Sequence, residues 1–195
     1  MFPVQDTYFI REHVGMLKLA DTYDILDPAT QQTIGVAREQ PGVFVHVLRF
    51  LLNKQMLPMR VAVYLGAEPD QAACAFTIKR GFTLFRSRVD VEDASGSKLG
   101  WFKSKALSLG GAFRVFDEND QEVALVKGDW KGWHFRFLVG EEEIGTVSKQ
   151  WSGIGKELFT SADNFIVSLR GEHTPEKTTL LLAAALAIDI VFKEG

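Results

Sequence analysis

Residues 180–192 constrain this chain more than any other segment. Positions 180–188 are continuously apolar (Leu180-Leu181-Leu182-Ala183-Ala184-Ala185-Leu186-Ala187-Ile188), Asp189 interrupts, and Ile190-Val191-Phe192 follow. Upstream, Thr174 suits a helix N-cap, Pro175 the first helical position and Glu176 the positive end of a helix dipole, so the run reads as a helix. Such a helix is apolar on every side and has to be enclosed, by protein or by lipid. Crossing a bilayer takes about 20 apolar residues, whereas runs of about 10–14 belong to buried core helices. Length, and the cost of holding Asp189 in lipid, favour enclosure by protein. The rest of the chain must then supply a wall on all sides.

A repeated hairpin pattern supplies one. Tyr23-Asp24-Ile25-Leu26-Asp27 leads through a polar turn into Ile34-Gly35-Val36, and Val89-Asp90-Val91-Glu92-Asp93 into Leu99-Gly100-Trp101. Phe113-Arg114-Val115-Phe116-Asp117 leads into Val123-Ala124-Leu125, and His134-Phe135-Arg136-Phe137-Leu138 into Ile144-Gly145-Thr146-Val147. Asp, Asn, Pro and Gly satisfy turn geometry, while alternation turns one face of each strand to a core. A glycine early in the return strand predicts a bulge or a close backbone approach. Short antiparallel strands in this number form a meander that closes into a barrel or splits into a sandwich. The fold class is therefore mainly β, a closed antiparallel sheet wrapped around the C-terminal helix. Between residues 42 and 59, Leu48, Leu51 and Leu52 recur at helical spacing before Pro58, which predicts a short helix. No linker divides the chain, so residues 1–195 are expected to form a single domain.

The chain is 46% hydrophobic and 24% charged, which excludes disorder. Its one cysteine, Cys74, excludes an intramolecular disulfide framework and a cysteine zinc cluster, and reads as a small packed residue rather than a nucleophile. His13, His46, His134 and His173 are scattered without metal-ligand spacing, and the glycine-rich fragments lack the phosphate-loop pattern. The N-terminus lacks the basic and apolar regions of a signal peptide. No catalytic constellation stands out, so an enzyme is not expected, nor is a cofactor. Trp101, Trp130, Trp133 and Trp151 sit in strand patterns and are expected to pack in the core. With a net charge of −3, nucleic acid is not an expected partner.

That net charge conceals an asymmetry. Residues 79–114 carry eight basic side chains (Lys79, Arg80, Arg86, Arg88, Lys98, Lys103, Lys105, Arg114) against three acidic ones; residues 115–145 carry three basic against eight acidic. Two arrangements fit. The basic strands share a face that attracts anions, or the two segments pair as neighbours and neutralise each other.

The segment Gly145-Thr146-Val147-Ser148-Lys149-Gln150-Trp151, continuing through Glu157-Leu158-Phe159-Thr160-Ser161-Ala162-Asp163-Asn164-Phe165 to Ile188-Asp189, resembles the C-terminal half of the phospholipid scramblases and the related LURP-one proteins. The resemblance implies a 12-stranded barrel around the C-terminal helix, the tubby C-terminal fold. It also implies a lipid-associated module, peripheral rather than integral, at the cytoplasmic face of the plasma membrane, with anionic phospholipids or a protein as partner. On this reading Lys79, Arg80, Arg86, Arg88, Lys103 and Lys105 contact lipid head groups from the barrel wall, and Arg49, Lys54 and Arg60 form a second contact. Transfer of phospholipids between leaflets is the alternative activity. In scramblases a calcium site is proposed at the segment matching residues 161–172. Here Ser161 replaces its first acid, Val167 and Leu169 occupy intermediate positions, and only Asp163 and Glu172 remain as candidate ligands. Calcium usually takes six to eight oxygen ligands, so a calcium cofactor is not expected.

Overall fold

The computed structural model describes residues 1–13, 20–42, 57–69, 72–82, 86–105, 112–129, 132–149 and 164–192. The twelve strands are β1 (Thr7–Glu12), β2 (Thr22–Leu26), β3 (Thr33–Glu39), β4 (Met59–Leu65), β5 (Cys74–Arg80), β6 (Arg86–Asp93), β7 (Lys98–Lys105), β8 (Phe113–Asp117), β9 (Glu122–Asp129), β10 (His134–Val139), β11 (Glu142–Ser148) and β12 (Phe165–Leu169). Each pairs antiparallel with its sequence neighbour, and β1 pairs with β12 in the register Thr7↔Ser168 to Ile10↔Phe165, so the sheet closes into a barrel without edges. The four hairpins read from the sequence are β2–β3, β6–β7, β8–β9 and β10–β11. The predicted helix between residues 42 and 59 falls almost wholly outside the described residues.

Alternation sets the wall. In β4, Val61 and Val63 are fully buried while Arg60 points to solvent; in β8, Phe113 and Val115 are buried while Arg114 is exposed. Inward side chains across the wall meet helix α1 (Pro175–Ala187), which continues as a π-helical turn, Ile188–Phe192. Residues 178–187 are all buried. Each buried leucine of α1 contributes about 1.5–3 kcal/mol, so the helix organises the core rather than decorating it. Its start follows the sequence: Thr174 is the N-cap, its hydroxyl accepting from the Lys177 N–H at 3.3 Å, with Pro175 in the first turn.

The glycines of the return strands allow close approaches, and at Gly100 the approach is to the helix. A Cβ on Gly100 would lie 2.2 Å from the Phe116 carbonyl and 2.7 Å from a Leu180 methyl. At Gly35 it would strike the ring of Phe2, which plugs the barrel and donates its backbone N–H to Thr179 Oγ1 at 3.1 Å. Ladder irregularities fall at the turn end of all four hairpins, between Ile25 and Leu26, Val91 and Glu92, Val115 and Phe116, and Phe137 and Leu138. These bulges bend the strands enough to close the sheet.

The far end of the helix is pinned by a polar contact. Asp189 is buried, and the Tyr23 hydroxyl donates to its Oδ2 at 2.9 Å. Burial, reinforced by the Asp189 charge, pushes the Tyr23 phenol far above its ordinary pKa and keeps it a donor.

Gly100→Ala is expected to lower stability by about 1–3 kcal/mol, the usual cost of overpacking, read as a lower urea midpoint. An unchanged midpoint would contradict the close contact between β7 and α1.

Candidate functional site

The strand register gives the barrel two unlike ends. Short hairpins close one end, and their tips carry Asp27, Glu68, Asp93, Asp117, Glu118, Asp120 and Glu141. Toward the other end, neighbouring strands present cations. Arg88 of β6, Lys103 of β7 and Arg114 of β8 stand in consecutive register on the outer wall, all exposed. Arg60 of β4 opposes Lys79 of β5, and Lys127 of β9 opposes Arg136 of β10. Like charges directly opposite on a sheet are destabilising. Four such juxtapositions along seven consecutive strands therefore mark this wall as the candidate site.

Acids compensate part of the row. Arg88 Nε lies 2.8 Å from Asp90 Oδ1, Arg114 Nη1 lies 2.8 Å from Glu122 Oε2, and Lys79 pairs with Glu92. Arg60, Lys103, Lys127 and Arg136 make no ion pair among the described residues. Both arrangements open to the sequence thus occur together: cations near the hairpins are neutralised, as Lys98 is by Asp120 at 2.7 Å, while those further along remain in excess. A concavity of about 550 Å³ opens beside the second opposed pair, lined by Ala112, Lys127, Gly128, Asp129, His134 and Arg136. Asp129 contributes the one acid there, and its Oδ2 accepts the Gly132 N–H at 3.2 Å.

Several residues depart from expectation. Arg80 lies inside the wall, buried, with Nη2 donating to the Leu57 carbonyl at 3.1 Å, because it follows the inward phase of Phe76 and Ile78. It does not join the exposed row. Trp101 is on the outer wall rather than in the core: it stacks on Phe116 at 4.3 Å, the Arg88 guanidinium lies 4.3 Å over its ring, and its Nε1 donates to Asp120. Trp133 does pack inward, against Phe135 and Phe165. Arg49, Lys54, Asp163, His46, Trp130 and Trp151 lie outside the described residues, and only the backbones of Arg86 and Lys105 are described, opposite one another in register. Strand pairing adds Arg114, Lys127 and Arg136 to the surface; the last two belong to the acidic stretch of sequence, and only the fold of the β9–β10 hairpin sets them face to face.

Of the two candidate calcium ligands, Asp163 lies outside the described residues and Glu172 is exposed. Residues 165–169 are a strand paired on both sides, with Val167 and Leu169 directed into the core, rather than a coordinating loop. At about 3.3 Å per residue, β12 separates Asn164 at its start from exposed Glu172 beyond its far end by more than about 13 Å. No group of three or more His, Cys, Asp or Glu side chains with metal-binding geometry occurs among the described residues. His13 instead pairs with Asp24, Nε2 to Oδ1 at 2.8 Å.

With the geometry in place, comparison with known proteins decides the relationship. The sequence profile of the Scramblase family matches residues 19–195. The chain belongs to the Scramblase family. It is 39% identical to mouse phospholipid scramblase 1 over 90 residues, covering 42% of this chain and 27% of that protein, with the same figures for the rat protein. Bovine phospholipid scramblase 2 is 37% identical over 51 residues, 26% of this chain and 17% of that protein. The matched part thus spans about a quarter or less of these relatives' length. No solved structure matches the chain.

Two outcomes are expected. Hydrogen bonds from Lys98 and Trp101 hold the Asp120 carboxyl below its ordinary 3.8, so its contribution to stability is full above that value and is lost as pH falls through the depressed one. Asp120→Asn should flatten the acid limb of a melting-temperature profile; an unaltered limb would contradict the contact. Millimolar calcium should leave the melting temperature unchanged, and a calcium-dependent rise would instead point to a metal site.

Proposed function

We propose that this Scramblase-family protein is a non-enzymatic binding module that engages anionic phospholipid head groups with the cationic wall from β4 to β10. The observation that carries this reading is the in-register set Arg88, Lys103 and Arg114 with the opposed pairs Arg60–Lys79 and Lys127–Arg136. Such a surface is costly in isolation and favourable beside phosphate. Each cation near an anionic bilayer contributes about 1 kcal/mol, within roughly a Debye length. The relatives' names as phospholipid scramblases support the lipid class.

The distribution of polarity supports a peripheral association. Among the described residues no helix is long and apolar enough to cross a membrane. The barrel's interior is apolar, and its outer wall carries ion pairs such as Arg11–Asp24 beside one small apolar cluster of Phe9, Leu26 and Ile166. Membrane-spanning barrels have the reverse arrangement. A surface-bound barrel keeps α1 enclosed and needs no rearrangement of the core.

Transfer of phospholipid between leaflets is the second reading, supported by the family relationship. It is tested by dithionite quenching of labelled lipid in proteoliposomes, where loss of only the outer-leaflet signal would end it.

For the binding reading, Arg60→Gln with Lys103→Gln removes two exposed cations without breaking an ion pair among the described residues. Binding to phosphatidylserine vesicles at low salt should weaken by about thirtyfold, from about 1 kcal/mol per cation, with the urea midpoint unchanged. Wild-type protein that fails to co-sediment, or a double variant that binds equally well, would contradict the proposal.

A further inference from the structure

The cationic wall does not account for Phe82. This residue follows Gly81 at the end of β5, at the barrel end away from the short hairpins, and 66% of its surface is exposed. Among the described residues the other exposed large apolar side chains, Met1, Val4 and Val139, belong to the opposite, hairpin end. Cations flank Phe82. Lys79 lies three residues before it on β5, Arg60 opposes Lys79 on β4, and Arg88 lies on β6, the next strand along the chain. Of the acids in this neighbourhood, Asp90 and Glu92 are engaged by Arg88 and Lys79, and Glu39 is buried. An exposed aromatic at the end of strands that carry cations matches the composition of a bilayer interface, where an apolar ring enters the acyl boundary and basic groups remain at phosphate level.

We propose that the barrel docks end-on, with Phe82 inserted into the interfacial layer of an anionic bilayer and the acidic hairpin tips directed away from it. This rests on the lipid-binding reading above and adds an orientation and an anchor. Two independent features support it. The apolar anchor and the excess cations of β4 to β10 share one end, where Glu12, Asp21 and Asp129 also lie, and Asp93, Glu118, Asp120 and Glu141 share the other with Lys98 and Arg170. A negative surface attracts the first end and repels the second. The C-terminal end of the buried helix, at Asp189 near Tyr23, therefore faces the membrane without leaving the barrel.

The test places an environment-sensitive nitrobenzoxadiazole probe on Phe82→Cys, or on Val139→Cys at the hairpin end, each in a Cys74→Ala background. On phosphatidylserine vesicles the probe at 82 should shift to the blue, brighten and be quenched by lipids brominated at shallow acyl positions, while that at 139 keeps its aqueous spectrum. Unlabelled Phe82→Ala should bind about tenfold more weakly with an unchanged urea midpoint. A probe at 82 that stays aqueous on vesicles that do bind the protein, or a shift at 139, overturns the end-on orientation and leaves the binding reading standing. Absence of binding by the unlabelled wild-type protein overturns both.

Discussion

The structure depends on enclosing one apolar helix. An α-helix that is hydrophobic all round has no face to give to solvent, and α1 meets this by passing through the middle of a twelve-stranded sheet closed on itself. Closure satisfies the strands as well, because a barrel leaves no unpaired edge. Other features serve this contact. Gly100 lets the wall approach the helix, the bulges bend the strands around it, Phe2 seals its entry and the Tyr23–Asp189 hydrogen bond accommodates the one acid the helix carries inward. Removing the helix would expose the inward side chains of the strands packed on it, β5, β7 and β8 foremost.

The same topology sorts charge along the barrel axis. The hairpins β2–β3, β6–β7, β8–β9 and β10–β11 put their turns at one end, and turns select Asp, Asn and Gly for conformational reasons, so that end becomes acidic. The cations of β4 to β10 are left toward the other end. The buried helix runs with its N-terminus at the acidic end and its C-terminus at the cationic one. Its macrodipole therefore lies with its positive pole near the acids and its negative pole near the cations, an arrangement that favours both. Surface and core are electrostatically consistent, and the surface charge separation gives the molecule a direction that a membrane can read.

Local signals in the chain were enough for much of this. Thr174-Pro175-Glu176 and the apolar run specify α1, and the four hairpins could be read because turn chemistry and alternation are properties of a few adjacent residues. The family likeness from Gly145 to Asp189 carried the strand number and the closure, which periodicity alone left open between barrel and sandwich. The site was less legible. Arg88, Lys103 and Arg114 are separated in sequence by a dozen or so residues, and their alignment depends on register and on the bulge between Val91 and Glu92. Lys127 and Arg136 were hidden within an acidic stretch. Arg80 looked equivalent to Lys79, yet the side-chain period of two sends adjacent residues to opposite faces, and Arg80 is on the buried one. Trp101 misled for the same reason: its neighbours Gly100 and Phe102 face the core, so it cannot.

The central claim is that α1 remains the core of the barrel while the protein is on a membrane. Amide hydrogen exchange of β5, β7 and β8, the strands that contact α1, tests it most directly. Measured on protein bound to phosphatidylserine vesicles, these strands should keep the protection they have in solution. Loss of protection in them upon binding would mean that the helix had left the barrel for the bilayer, and would contradict the account.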